Sequence, residues 1–60
     1  MKAKVLKYFG GGDVTKTAKA LDVSTQRIYG WSDKLTKLER DGIIAAAVRN
    51  GFKIPDWLLK

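Results

Sequence analysis

The stretch Val14-Thr15-Lys16-Thr17-Ala18-Lys19-Ala20-Leu21-Asp22-Val23-Ser24-Thr25-Gln26-Arg27-Ile28-Tyr29-Gly30-Trp31 decides the fold. Its first part predicts a helix from about Val14 to Leu21, with Asp13 placed to cap it. Val14, Ala18 and Leu21 line one side of that helix. Ser24 then offers a hydroxyl to the unpaired amides of a second helix, after a connection of only Leu21-Asp22-Val23. So short a link makes the two helices cross steeply, with Val23 filling the corner. On a wheel centred on Ile28, Ser24 and Trp31 fall within about 60°. Gln26 and Gly30 fall on the opposite side, flanked by Arg27 and Tyr29.

Reading outward, Met1, Val5 and Phe9 share one face of an N-terminal amphipathic helix, with Leu6 beside them and Lys2, Lys4 and Lys7 elsewhere. Gly10-Gly11-Gly12 ends it, because glycine suits the left-handed position past a helix. After Trp31 the polar loop Ser32-Asp33-Lys34 leads to Leu35, which stands where a hydrophobic staple would face Arg40. Thr36 and Glu39 have capping-box spacing at the start of a further helix. Leu38, Ile43, Ile44, Ala47 and Val48 are its expected inner residues, Gly42 marks a close helix approach, and Asn50-Gly51 ends it. Pro55 suits the first position of a short final helix, with a strand at residues 51–54 as the rival. No pair of alternating runs is joined by a turn dipeptide. The expected fold is all-α, a compact bundle of about five short helices in one domain spanning residues 1–60.

Sixty residues lie near the lower limit for independent folding, and the chain contains no cysteine and no histidine to brace its core with disulfides or zinc. The longest apolar run, Ile43 to Val48, is far short of the ~20 residues a membrane span needs. No signal-peptide stretch opens the chain, so the expectation is a cytoplasmic protein. Twelve Lys and Arg against six Asp and Glu give a net charge of +6, which favours a polyanionic partner. Residues 1–30 carry six basic and two acidic groups, residues 31–60 six and four, so the N-terminal half is the more basic. Without His or Cys there is no ordinary base to activate a hydroxyl, and the carboxylates are scattered, so no enzyme, cofactor, metal site or small-molecule substrate is expected. The first helix is basic and amphipathic enough to raise membrane-surface binding, but it is short and the core needs its apolar face.

A small residue at the helix contact, apolar residues around the turn and a second helix with one buried and one free face make a helix-turn-helix. Ala18, Leu21, Val23, Ile28 and Trp31 meet those requirements. The run Thr15-Lys16-Thr17-Ala18-Lys19-Ala20-Leu21-Asp22-Val23, continued through Ile28 to Trp31, resembles the corresponding stretch of phage Cro repressors. The loop and Ile/Ala-rich helix that follow are similar to the C-terminal part of small all-helical phage regulators. The sequence departs from that family at Asp22, where glycine is usual, and at Val14, where glutamine is frequent. Asp tolerates the left-handed backbone such a turn needs. The resemblance implies a lambda-repressor-like fold and a transcriptional repressor of phage or prophage origin, in a bacterial host cell, that binds double-stranded DNA as a weak homodimer. The helix at about residues 24–31 would enter the major groove of a pseudo-palindromic operator.

Within that frame Thr25, Gln26, Arg27 and Tyr29 are the expected base-contacting residues: Gln26 suits adenine, Arg27 suits guanine or a phosphate, and Thr25 a thymine methyl or a backbone phosphate. Thr15, Lys16, Thr17 and Lys19 around the first helix of the pair, Ser24 at the start of the second, and Lys34 and Lys37 beyond it are the expected phosphate contacts. Trp31 is read as core. Gly30 has two readings, admission of the DNA backbone or room for Tyr29, and a weakened helix end is a third. Phe52, Trp57, Leu58 and Leu59 form an apolar cluster that either closes the core or supplies a dimer contact. A helical protein-interaction module and a nonspecific nucleic-acid binder are the alternative functions.

Overall fold

A computed structural model describes residues 1–59 and contains five helices and, among those residues, no strand: α1 (Lys2–Gly10), α2 (Val14–Leu21), α3 (Thr25–Tyr29), α4 (Lys37–Arg49) and α5 (Asp56–Leu59). The all-α expectation holds, and the strand considered at residues 51–54 does not form. Val5, Phe9, Leu21, Leu35, Ile43, Ala46, Ala47 and Leu58 share one core, so every helix except α3 contributes to it, and Ile28 of α3 is itself fully buried.

α1 and α2 meet at a point only glycine allows. A Cβ on Gly10 would clash with the Thr17 hydroxyl oxygen and lie 2.5 Å from the Thr17 amide nitrogen. Gly11, at φ 63°, turns the chain, and the Gly11 and Gly12 amides donate to the Lys7 and Leu6 carbonyls that α1 leaves open. The Asp13 carboxylate then caps α2 by accepting from the Thr15 amide at 2.8 Å.

α2 ends in a Schellman turn. Asp22 takes the left-handed conformation (φ 56°), its amide donates to the Lys19 carbonyl, and the Val23 amide donates to Ala18 at 3.0 Å. The departure from glycine at position 22 is thus accommodated by a residue type that accepts this backbone. The Ser24 hydroxyl accepts from the Arg27 amide at 3.1 Å and starts α3.

α3 is shorter than the sequence suggests. It stops at Tyr29, with Gly30 closing it, so Trp31 does not extend the helix face of Ile28 but packs against the core, half-buried, from the following turn. The Lys2 ammonium donates to the Trp31 carbonyl at 3.3 Å and the Lys2 amide to Asp33 at 3.0 Å, tying the start of α1 to this turn.

Leu35 is a core residue. It is buried at φ 51°, a conformation that costs about 1–2 kcal/mol, against about 2 kcal/mol gained by removing its side chain from water. Thr36 and Glu39 form the expected capping box at the start of α4, and Glu39 also accepts from the Ser32 amide at 3.2 Å. The backbone hydrogen bond from Thr36 leads the causes that hold the Glu39 carboxyl below its ordinary 4.5, followed by that from Ser32. Because the folded value is the lower one, this contribution is complete above the unfolded pKa and is lost as pH falls through the folded value. Glu39→Gln is therefore expected to lower stability at neutral pH, with the gap to the parent chain closing in acid. Thermal melts between pH 7 and pH 3 check this, and a gap independent of pH removes the charged-cap account.

Inside α4 the expectation was partly wrong. Ile43 and Ala47 are buried as expected, together with Ala46, but Leu38 is 83% and Val48 60% exposed. Gly42 marks no close helix approach, since a Cβ there would meet nothing within 4 Å. At the far end the Asn50 side-chain amide donates to Ala46 at 2.8 Å and to Leu21 at 3.1 Å, joining the ends of α4 and α2.

The C-terminal segment folds back over α1. Phe52 meets Phe9 edge-on at 5.1 Å, the Tyr8 hydroxyl donates to the Lys53 carbonyl at 2.9 Å, and the Lys4 ammonium lies 5.6 Å from the centre of the Trp57 ring. Pro55 sits just before α5, whose Leu58 is fully buried.

Candidate nucleic-acid interface

α3 is held by a single deep anchor, Ile28, and by caps at both ends, so most of its circumference is left to solvent. Gln26, Arg27, Tyr29 and Gly30 are exposed, Tyr29 by 69%, and Thr25 is half-buried. The four residues expected to contact bases therefore lie on one short helix, three of them exposed. Gln26 supplies a paired donor and acceptor, Arg27 a planar cationic fork and Tyr29 a ring with a polar tip.

On α2, Thr15, Lys16 and Lys19 are exposed and available to an anion. Thr17 is not. It is 0% exposed, with its hydroxyl donating to the Asp13 carbonyl at 2.8 Å and lying 3.3 Å from the Leu6 carbonyl. The phosphate contact expected of Thr17 is withdrawn: its side chain serves the α1–α2 contact, where a hydroxyl beside Gly10 satisfies itself internally. Ser24 is exposed with its oxygen already accepting the Arg27 amide, which leaves its hydroxyl proton as the group it can offer. Lys34 and Lys37 are exposed in the loop after α3 and at the first residue of α4.

Of the C-terminal cluster, Leu58 lies in the core and Phe52 and Trp57 pack on it half-buried, so these three close the folded chain. Leu59 alone among the four is exposed. Leu58 is thereby corrected as a dimer contact, because its side chain has no surface to present.

The structure bears on the readings of Gly30, and a cleft beside it was not foreseen. Gly30 has an ordinary φ of −80°, and a Cβ on it would stand at normal contact distance, 3.5 Å, from the Arg27 carbonyl. Neither backbone nor internal packing requires glycine there. Beside it, a cleft of about 510 Å³ separates α3 from α4, with Leu21, Val23 and Ile43 in its lining and Gln26, Arg27 and Leu38 among its polar and exposed residues. Gly30 and Gly42, twelve residues apart, both line this cleft.

Among the described residues no group of three or more acidic side chains is placed to hold a metal ion, and no helix is long and apolar enough to cross a membrane. No protein-family model, curated protein or solved structure matches the chain.

Proposed function

We propose that this chain is a sequence-specific DNA-binding regulator of the Cro type, a repressor of phage or prophage origin, with α2 and α3 as its helix-turn-helix and α3 as the recognition helix. The observation that carries the reading is the build of α3: one buried residue, Ile28, fixes a helix whose remaining side chains, Gln26, Arg27 and Tyr29, stand free to reach base edges. The exposed Lys16 and Lys19 of α2 supply phosphate contacts that set its register, and the net charge of +6 draws the chain to the duplex. A pair of such chains presents two recognition helices to half-sites about one helical turn, ~34 Å, apart on a pseudo-palindromic operator.

Selection of binding sites from random duplexes at moderate salt tests this directly. The expected result is a consensus with twofold symmetry. Binding without a consensus reduces the protein to a nonspecific nucleic-acid binder. The apolar lining of the α3–α4 cleft favours a second reading, a module that docks a partner protein there, and absence of any duplex binding selects that one.

A further inference from the structure

α4 has two apolar faces where a helix on the surface of a small protein needs one. Ile43, Ala46 and Ala47 fill the core. At about 100° per residue, Leu38, Asp41, Gly42, Ala45, Val48 and Arg49 all fall within about 60° of Ala45, on the opposite side, and all six are exposed. Two large aliphatic side chains and two small residues thus form an outer seam bounded by one acid and one base. All six residues are exposed among the described residues, and a Cβ on Gly42, at the edge toward the α3–α4 cleft, would meet no atom within 4 Å.

We propose that this seam is a homodimer contact in which α4 packs antiparallel on α4 of a second copy, with Ala45 at the twofold axis. Between residues 41 and 49 the seam is complementary to itself in that register, and Leu38, seven residues before Ala45, overhangs the end of the partner's α4. Gly42 precedes Ala45 by three residues and Val48 follows it by three, so each Val48 enters the space above the partner's Gly42. Asp41 precedes Ala45 by four and Arg49 follows it by four, so each Asp41 meets the partner's Arg49, giving two symmetric ion pairs at the rim. A parallel pairing sets Asp41 against the partner's Asp41 and Arg49 against the partner's Arg49, which like-charge repulsion opposes. The small residues at the centre let the helix axes approach to about 10 Å with the two Ala45 methyl groups in contact, and a twofold contact of this kind buries the same patch on both copies. One pair of 13-residue helices covers less than the ~1,200 Å² of a stable complex, so the dimer is weak and concentration-dependent. The contact replaces the C-terminal cluster as the assembly surface and does not depend on DNA binding.

The chain has no native cysteine, so a single introduced thiol reports the contact cleanly. Two α4 helices about 10 Å apart place facing Ala45 Cα atoms, each about 2.3 Å off its axis, about 5 Å from one another, within the disulfide reach of about 4–7 Å, so Ala45→Cys is expected to oxidise rapidly to a covalent dimer. Leu59→Cys, at the exposed end of α5, is the comparison and is expected to cross-link at least tenfold more slowly. Sedimentation of cysteine-free protein up to about 1 mM, the dissociation-constant scale of a weak contact, is expected to show dimers that Asp41→Arg or Arg49→Asp abolishes. The combined Asp41→Arg/Arg49→Asp chain restores them, because in a twofold contact the swapped charges meet again. Equal cross-linking at both cysteines, a monomer at every concentration, or a double variant no better than the singles overturns the proposal. All these readouts are made without DNA, so they and the site selection fail independently.

Discussion

Gly10→Ala is expected to be the most damaging single substitution in the N-terminal half. The added methyl group would sit on the Thr17 hydroxyl and within 3 Å of the Thr17 backbone, atoms that cannot rotate away because α2 is capped at Asp13 and Thr17 is fully buried. Overpacking against backbone costs about 3 kcal/mol, and a chain of this size is stabilised by only about 3–9 kcal/mol. The melting temperature should fall by about 10 °C or more. Gly42→Ala makes the same chemical change in the middle of α4, where nothing stands within 4 Å. There the gain in helix propensity, about 1 kcal/mol, should raise the melting temperature by several degrees. Calorimetry at low protein concentration, where pairing through α4 is negligible, compares the two. Equal and small effects at both positions would mean that α1 and α2 are not in close contact.

The second large effect concerns recognition. Gln26→Ala should cost about 1–3 kcal/mol at one base position of the selected site and leave the others unchanged, because a bidentate amide contact reads one adenine. Lys16→Ala should instead weaken every sequence alike and reduce the slope of log affinity against log salt by about one. Thr17→Val separates a buried hydroxyl from a phosphate ligand, and the slope should not move. Titration of the consensus duplex and its single-base variants at several salt concentrations measures all three. A uniform loss for Gln26→Ala removes it from base reading, and a flattened slope for Thr17→Val reinstates the contact that its burial argues against.

The parts of the fold legible in the sequence were those written in local chemistry. Asp13, Ser24 and the Thr36–Glu39 pair start helices with their own side chains, so they are visible as residue types at fixed spacing. The exposed edge of α3 followed from Ile28 by rotation alone. Errors arose where a residue's environment is supplied by distant chain. Thr17 reads as a surface hydroxyl until Gly10 brings α1 against it. Leu38 and Val48 read as core because apolar residues on α4 cannot declare which of its two sides meets the rest of the molecule. Nothing local announces that Leu35 is left-handed, a conformation that accompanies the placement of its side chain in the core.

Charge, helix starts and stops and the short α2–α3 turn were thus determined by the sequence itself, since each depends on groups within a few residues of one another. The tertiary structure alone decided which face of α4 is outside, that Thr17 is sealed from solvent, and that Phe52, Trp57 and Leu58 close the core. Those outcomes depend on which surfaces are removed from water when α1, α4 and α5 come together, and burial is a property of the assembled helices rather than of any one of them.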